Sequence, residues 1–222
     1  MNKVVFGIFV LLLQLPALLL AAESTIQDWE LKRDREGIQV YTRKVPGSPY
    51  AAVKTITVVS DLRLSSMVAL ILDSEACAQW ADKCAESSVY EKISDTELLI
   101  YTVNDLPFPM KDRDILARFH WSQKPMTLDV TMTSEAVTGI VEEQKGRLRL
   151  TEATISWHLQ PLAMGAVQVI NEAHVNPGSP LPGGLINMLL VDSPFETMKS
   201  FRKAAALPKY EQASISFVEE PL

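Results

Sequence analysis

Near the C-terminus, Leu185, Met188, Val191, Phe195, Met198, Phe201 and Ala205 recur at every third or fourth position. That period puts them on one face of an α-helix. Glu196, Lys199, Arg202 and Lys203 fall mostly off the stripe, and the basic residues come late, where they suit the negative end of the helix dipole. The stretch Pro180–Leu207 is long enough for roughly six or seven turns. Pro182-Gly183-Gly184 breaks the chain ahead of it, and Pro194 inside it predicts a kink.

Upstream, the period drops to two. Ile38–Lys44 alternates Ile38, Val40 and Thr42 with Gln39, Tyr41 and Arg43, a strand signature. Pro46-Gly47-Ser48-Pro49 turns the chain, and Ala51–Val59, rich in Val, Ile and Thr, forms the partner strand. Further strands are expected at Val89–Ile93, Glu97–Val103, Asp114–Trp121, Leu128–Val137, Arg147–Leu159 and Val167–Val175. Between the first pair and the rest, Leu64, Met67, Val68, Ile71 and Leu72 give a helix with an inward face, which Ser60 or Asp61 can cap. A second short helix follows over roughly Ser74–Trp80. Thr25–Asp34 is expected to be a helical lead-in anchored by Trp29. A long helix after many strands needs a face to cover, and a sheet supplies one. The predicted class is α+β: a curved antiparallel sheet wrapped around one long C-terminal helix.

Composition narrows the partners more than the fold. The 222 residues carry 47% hydrophobic and 22% charged side chains, ordinary for a globular chain. A net charge of −6 disfavours nucleic acid as a partner. Lys3, the apolar run Val4–Leu20 and Ala21-Ala22-Glu23 follow the order of a secretory signal peptide, which places a cleavage after Ala22. The alternative is an uncleaved anchor, for which the run is short and interrupted by Gln14 and Pro16. The expected organisation is a signal peptide at 1–22 and one domain at 23–222. The expected location is the periplasm or cell envelope of a bacterium, with secretion as the alternative. Cys77 and Cys84 are an even pair in an exported chain, compatible with a disulfide. In one unbroken helix their Cα atoms would lie about 10 Å apart, too far to bridge. A bridge therefore needs the helix to end within Ala78–Lys83; otherwise both are buried free thiols.

Several segments in order resemble the START lipid-binding domain, especially its bacterial exported members. They are WELKRDREGIQVYTRKVPGSP, the helical segment ending ILDSEACAQWADKC, then LPFPMKDRDILARFHW with Pro107, Pro109, Arg113 and Asp114 in the family's places. Trp157, Gly165 and VNPGSPLPGGLINMLLVDSPFETMKSFRKAA complete the match. The resemblance spans about Trp29–Ala206. It implies a helix-grip fold with a hydrophobic tunnel between sheet and helix, holding one lipid, sterol or other apolar molecule. It also implies a lid, here Asp105–Asp112. Steroid-carrying members place a basic residue six positions after the arginine of the RD pair. Here that position is Phe119, with Arg118 on the opposite face, so the sterol-type pairing is not matched. Arg113 and Asp114 are expected to tie the strand entry to its neighbouring loop.

An apolar guest needs apolar walls and a few orienting polar groups. Alternation puts Ile115, Ala117, Phe119 and Trp121 on one face of their strand, and Ala153, Ile155, Trp157 and Leu159 on one face of another. These are taken as inward, with Asp114, Leu116, Arg118 and His120 outward. Met132 and Val130 come from the strand between. From the helix come Met188, Val191, Phe195 and Met198, and from the lid Leu106, Phe108 and Met110. Met67, Met110, Met126, Met132, Met164, Met188 and Met198 suggest adaptable walls. Glu152 or Asn171 would face inward on a one-residue register change. His120, His158 and His174 lack metal-ligand spacing, and there is no nucleophile elbow. No catalytic residue, metal or cofactor is therefore assigned. The expected function is non-covalent binding of a lipid or similar molecule; transport rather than storage or sensing, and transient membrane contact, are left open by the sequence. The alternatives are a cyclase- or hydrolase-like helix-grip enzyme and an envelope interaction scaffold.

Overall fold

The computed structural model describes residues 29–221. The signal-peptide stretch lies outside the described residues, as does the start of the lead-in. The strands are β1 (Glu30–Arg35), β2 (Ile38–Arg43), β3 (Ala52–Val59), β4 (Cys84–Lys92), β5 (Glu97–Asn104), β6 (Asp112–Gln123), β7 (Val130–Ala136), β8 (Arg147–Arg149), β9 (Ala153–Pro161) and β10 (Val167–Val175). They form one open sheet in the order β1-β2-β3-β10-β9-β7-β6-β5-β4. All these pairings are antiparallel; β8 alone runs parallel, against the start of β6. The helices are α1 (Leu64–Leu72), α2 (Cys77–Trp80), α3 (Gly183–Asn187), α4 (Ser193–Ala205) and α5 (Pro208–Glu211). Helix α4 packs on β2 and β3 and against α1 and α2, so the sheet and the short helices grip it.

The lead-in is a strand. Glu36 and Gly37 both have positive φ, 54° and 72°, the conformation of a two-residue hairpin turn whose twist matches its strands. The turn pairs Arg35 with Ile38 and makes β1 the edge strand. An edge tolerates the charged run Glu30–Arg35, which has no apolar face to bury as a helix. Trp29 lies under two cations, Arg43 at 4.5 Å and Lys54 at 4.4 Å, and anchors no helix.

The expected strand Arg147–Leu159 breaks in two. Strand β7 covers β6 only over Ala117–Gln123, leaving Asp112–Asp114 free to pair. Arg147–Arg149 takes that place, and the chain then crosses to pair Ala153–Pro161 with β7 and β10. Asp114 and Leu116, expected outward, are buried at 1% and 0% exposure, and Arg149 from β8 meets the Asp114 carboxylate.

Helix α1 is not capped by Ser60 or Asp61. Glu220, from the far end of the chain, accepts from the backbone N–H of Leu64 at 3.0 Å and of Ser65 at 2.8 Å. Those N–H groups have no partner within the helix, so a distant carboxylate does the capping. Phe217 packs on Trp121, with ring centres 5.9 Å apart, and holds this C-terminal tail in place.

The C-terminal helix runs without a break from Gly183 to Ala205, but its middle, Met188–Asp192, is a π-turn. Pro194 has no N–H to donate and its ring crowds the carbonyl of Leu190. The wider turn just before it, closed by Ser193 N–H to Met188 O, absorbs this conflict. The irregularity expected at Pro194 is thus a π-turn one step upstream.

The solid core lies between α4, α1, α2 and the sheet. Trp80, Trp157 and Phe201 meet with ring centres 4.9–5.9 Å apart. Ile38, Val40, Met67, Leu70, Met132, Leu159, Val169, Phe195 and Met198 pack around them. Each such side chain contributes about 1.5–3 kcal/mol by leaving water.

Candidate functional site

The core does not fill the whole space under the helix. Beside it lies a cavity of about 460 Å³. The sheet contributes Val53 from β3, Arg113 and Ile115 from β6, Ala153 and Ile155 from β9, and Asn171, Ala173 and Val175 from β10. On β6, β9 and β10 these residues lie two apart, so one pleated face supplies the floor. The helix contributes Ile186, Leu189, Leu190, Ser193, Pro194 and Thr197. Asn104, at the end of β5, and the loop residues Pro49–Ala51, Asp82, Lys83, Leu106, Leu150, Pro177 and Leu181 close the sides.

Two of the side chains singled out from the sequence, Ile115 and Ile155, line this cavity. Ala153 and Leu106, named beside them, line it too, as does Asn171. Glu152 points to solvent and accepts from Asn176 Nδ2 at 3.0 Å. The remaining candidates sit elsewhere. Trp121, Met132, Trp157, Phe195 and Met198 belong to the solid core, joined by half-buried Phe119, and Val191 is buried. Ala117 belongs to a small cluster with Ile115, Leu150 and Ala153. Met188 and Met110 are half-buried outside the cavity wall. Phe108 is 96% exposed.

The displacement on the helix has a geometric cause. The stripe Phe195, Met198, Phe201 and Ala205 is the face of α4 pressed on the solid core. The cavity meets the neighbouring stripe, Ile186, Leu190, Pro194 and Thr197. That second stripe, at spacings of three and four, was visible in the sequence but mixed with Ser193 and Thr197. The π-turn turns both stripes relative to a regular helix; Pro194 announces an irregularity there but not its form. The methionine walls are also absent. Met67, Met132 and Met198 fill core, Met126 and Met164 are 94% and 99% exposed, and none of the seven touches the cavity.

Polar groups gather where loops meet the sheet. Arg113, 3% exposed, donates from Nε to Pro177 O at 3.2 Å, from Nη2 to Ser179 Oγ at 2.9 Å and from Nη1 to Lys111 O. Burial pulls its pKa below the ordinary arginine value, with Asp112 opposing. Arg113 therefore ties the strand entry to the 177–179 loop and also forms cavity wall. Its neighbour Asp114 points to the other face, into a buried pair with Arg149 Nη2 at 2.8 Å, and accepts from Tyr101 OH at 2.7 Å. Burial alone would raise the Asp114 carboxyl; the hydrogen bonds from Arg149 and Tyr101 outweigh it and hold the pKa below its usual value.

A disulfide shapes the opposite wall. Helix α2 ends at Trp80, and Cys77 bridges Cys84 with Cα atoms 6.0 Å apart. The loop it closes presents Asp82 and Lys83 to the cavity. Asp82 N–H donates to Thr197 Oγ1 at 2.9 Å, and Lys83 O accepts from Asp105 N–H at 2.8 Å. One loop thus joins the helix to the start of the Asp105–Asp112 segment. In that segment Leu106 turns in at 7% exposure, while Met110 N–H to Pro107 O closes a turn that leaves Phe108 outside. Side chains expected to share one cover are split across the two sides of the loop. No histidine lines the cavity. His158 Nδ1 meets Thr131 Oγ1 at 3.3 Å, His174 Nε2 meets Ser48 Oγ at 3.0 Å, and His120 is exposed.

Comparison with known proteins adds relatives to this geometry. The START domain family matches residues 14–209. An uncharacterised protein of Pseudomonas aeruginosa is 29% identical over 185 residues, covering 83% of this chain and 90% of its own length. The phosphatidylcholine transfer protein of Homo sapiens is 25% identical over 163 residues, 72% of this chain and 75% of that protein. The crystal structure of a STAR-related lipid transfer protein fragment from Xanthomonas axonopodis superposes with a TM-score of 0.73 at 32% identity. It covers 81% of this chain and 99% of that one.

Proposed function

Because this chain belongs to the START domain family, we propose that it binds one lipid or similar apolar molecule, non-covalently, in the cavity beneath its C-terminal helix. The observation that carries this reading is the hollow itself, about 460 Å³ with mostly apolar walls, beside a packed core. An empty hollow is unfavourable because its lining atoms lack partners. A guest restores those contacts, and Arg113, Asn104 and Lys83 orient its polar end.

The reading is of a carrier and not an enzyme. Lys83 Nζ lies 3.4 Å from Asp82 Oδ1, and Arg113 is held by loop oxygens, so the charged groups of the wall are already paired. Loading proceeds at a membrane surface: Phe108 stands in water on the loop whose Leu106 reaches the cavity, and insertion into the lipid interface would bury it. The domain, residues 23–222, acts in the periplasm or cell envelope after removal of the signal peptide at 1–22. The names of the human and Xanthomonas relatives support lipid transfer as the activity.

Solvent extraction and mass spectrometry of freshly purified protein test this. A retained apolar molecule is expected, and re-adding it to stripped protein should raise the melting temperature. At a hundred times Kd the stabilisation is about 2.7 kcal/mol, or about 5–11 °C for a chain of this size. No retained molecule, together with no thermal shift from any lipid class, would rule the reading out.

A further inference from the structure

The hollow and the solid core meet along a single boundary that crosses every element around them. On β9, Ala153 and Ile155 line the cavity, while Trp157 and Leu159, next on the same face, are buried in core. On β10 the order runs the other way: Val175, Ala173 and Asn171 line the cavity, and Val169 and Val167 are core. On β3, Val53 lines it and Thr55 and Thr57 beyond are buried. Along α4, Ser193 and Thr197 line it and Phe201, one turn further, is core. The space between sheet and helix is therefore a blind pocket in its loop half, and not a tunnel through both halves.

Three aromatic side chains stand at that boundary. Trp157 lies directly across the ladder from Asn171, the last cavity residue of β10. Phe201 follows Thr197 on the helix, with its ring 4.9 Å from that of Trp157. Trp80 closes the group, 5.9 Å from Trp157 and 5.6 Å from Phe201, within the same disulfide loop that holds Asp82 and Lys83. Large rings packed in this way do not yield to an alkyl chain without opening a void elsewhere. The polar wall groups Lys83, Asn104 and Arg113 sit at the opposite, loop end of the strands. An amphiphile fits with its polar end there and its tail directed at the rings.

We propose that Trp157 and Phe201, backed by Trp80, are a stop that sets the maximum length of the ligand's apolar part. Below the limit, each added methylene finds wall. Beyond it, the chain has to leave part of itself in water or displace a ring. This inference rests on the carrier reading above.

A series of 1-monoacylglycerols from octanoyl to stearoyl, added to stripped full-length mature protein, tests it by native mass spectrometry and thermal shift. For wild type, affinity should rise roughly fourfold per methylene, the value of one buried CH₂, and then stop rising at a definite length. Trp157→Ala and Phe201→Ala should each move that limit to longer chains. Ala173→Leu, which adds bulk on the hollow side of the boundary, should move it to shorter ones, and decides the matter if the aromatic variants fail to fold. A limit that stays at the wild-type length in Ala173→Leu and in every aromatic variant that folds overturns the stop and leaves the carrier reading standing. Wild-type protein that binds no member of the series and retains no apolar molecule on purification overturns both.

Discussion

Replacing Asp114 by Asn would test whether the RD pair is structural. Asp114 is 1% exposed and Arg149 opposite it has a side chain only 5% exposed, with Nη2 2.8 Å from the carboxylate. Removing one charge of a buried pair costs about 3–5 kcal/mol, because the other remains buried without its counter-ion. Here the loss falls at the low end. Arg149 keeps Val141 O at 2.8 Å and Glu142 O at 3.1 Å, and Asn retains an oxygen for Tyr101. About 3 kcal/mol corresponds to roughly 6–12 °C in melting temperature for a chain of this size. Circular dichroism melts and urea titrations of wild type and Asp114→Asn would measure it. The double variant Asp114→Leu/Arg149→Met should regain most of the loss, since apolar replacement of a whole buried pair is often neutral or better. The pH dependence has a definite sign. The Asp114 carboxyl is held below its ordinary value in the folded chain, so its stabilisation is present above about pH 4 and is lost as pH falls through the folded value. The gap between wild type and Asp114→Asn should close on acidification. A loss under about 1 kcal/mol, or one that neither depends on Arg149 nor shrinks in acid, would refute this account of the pair.

Three other outcomes follow from contacts elsewhere. Replacing both cysteines by Ala releases the short loop Cys77–Cys84, whose closure is worth about 2.5 kcal/mol in chain entropy. The melting temperature should fall by about 5–10 °C, and retention of a bound molecule should fall with it, because Asp82 and Lys83 are cavity wall. Glu220→Ala strips the acceptor from two N–H groups of α1 and should cost about 0.5–2 kcal/mol, like loss of an ordinary cap; limited proteolysis should then cut the C-terminal tail sooner. Phe108→Ala should leave the melting temperature unchanged, since the ring makes little buried contact, yet weaken sedimentation with lipid vesicles. Unchanged vesicle binding would show that this ring is not the membrane contact.

Local patterns were enough for most of the elements and for the fold class. Period two marked the strands from Ile38 to Val175, and period three to four marked α1 and the C-terminal helix, because each element buries a face set by its own repeat. Pro194 announced an irregularity in that helix for the same local reason: a missing N–H. The requirement that α2 end before Cys84 if the cysteines were joined also came from spacing alone. Three-dimensional packing decided the rest. Periodicity identifies a buried face but does not distinguish one pressed on side chains from one facing a void, so Phe195 and Met198 looked as suitable for a cavity as Leu190. Edge pairing made Glu30–Arg35 a strand, and the space that β7 leaves beside β6 split Arg147–Leu159. Glu220 reached α1 from the other end of the chain. The position of the hollow depends on where large rings from α2, β9 and α4 converge, a coincidence of distant residues that no window along the chain contains.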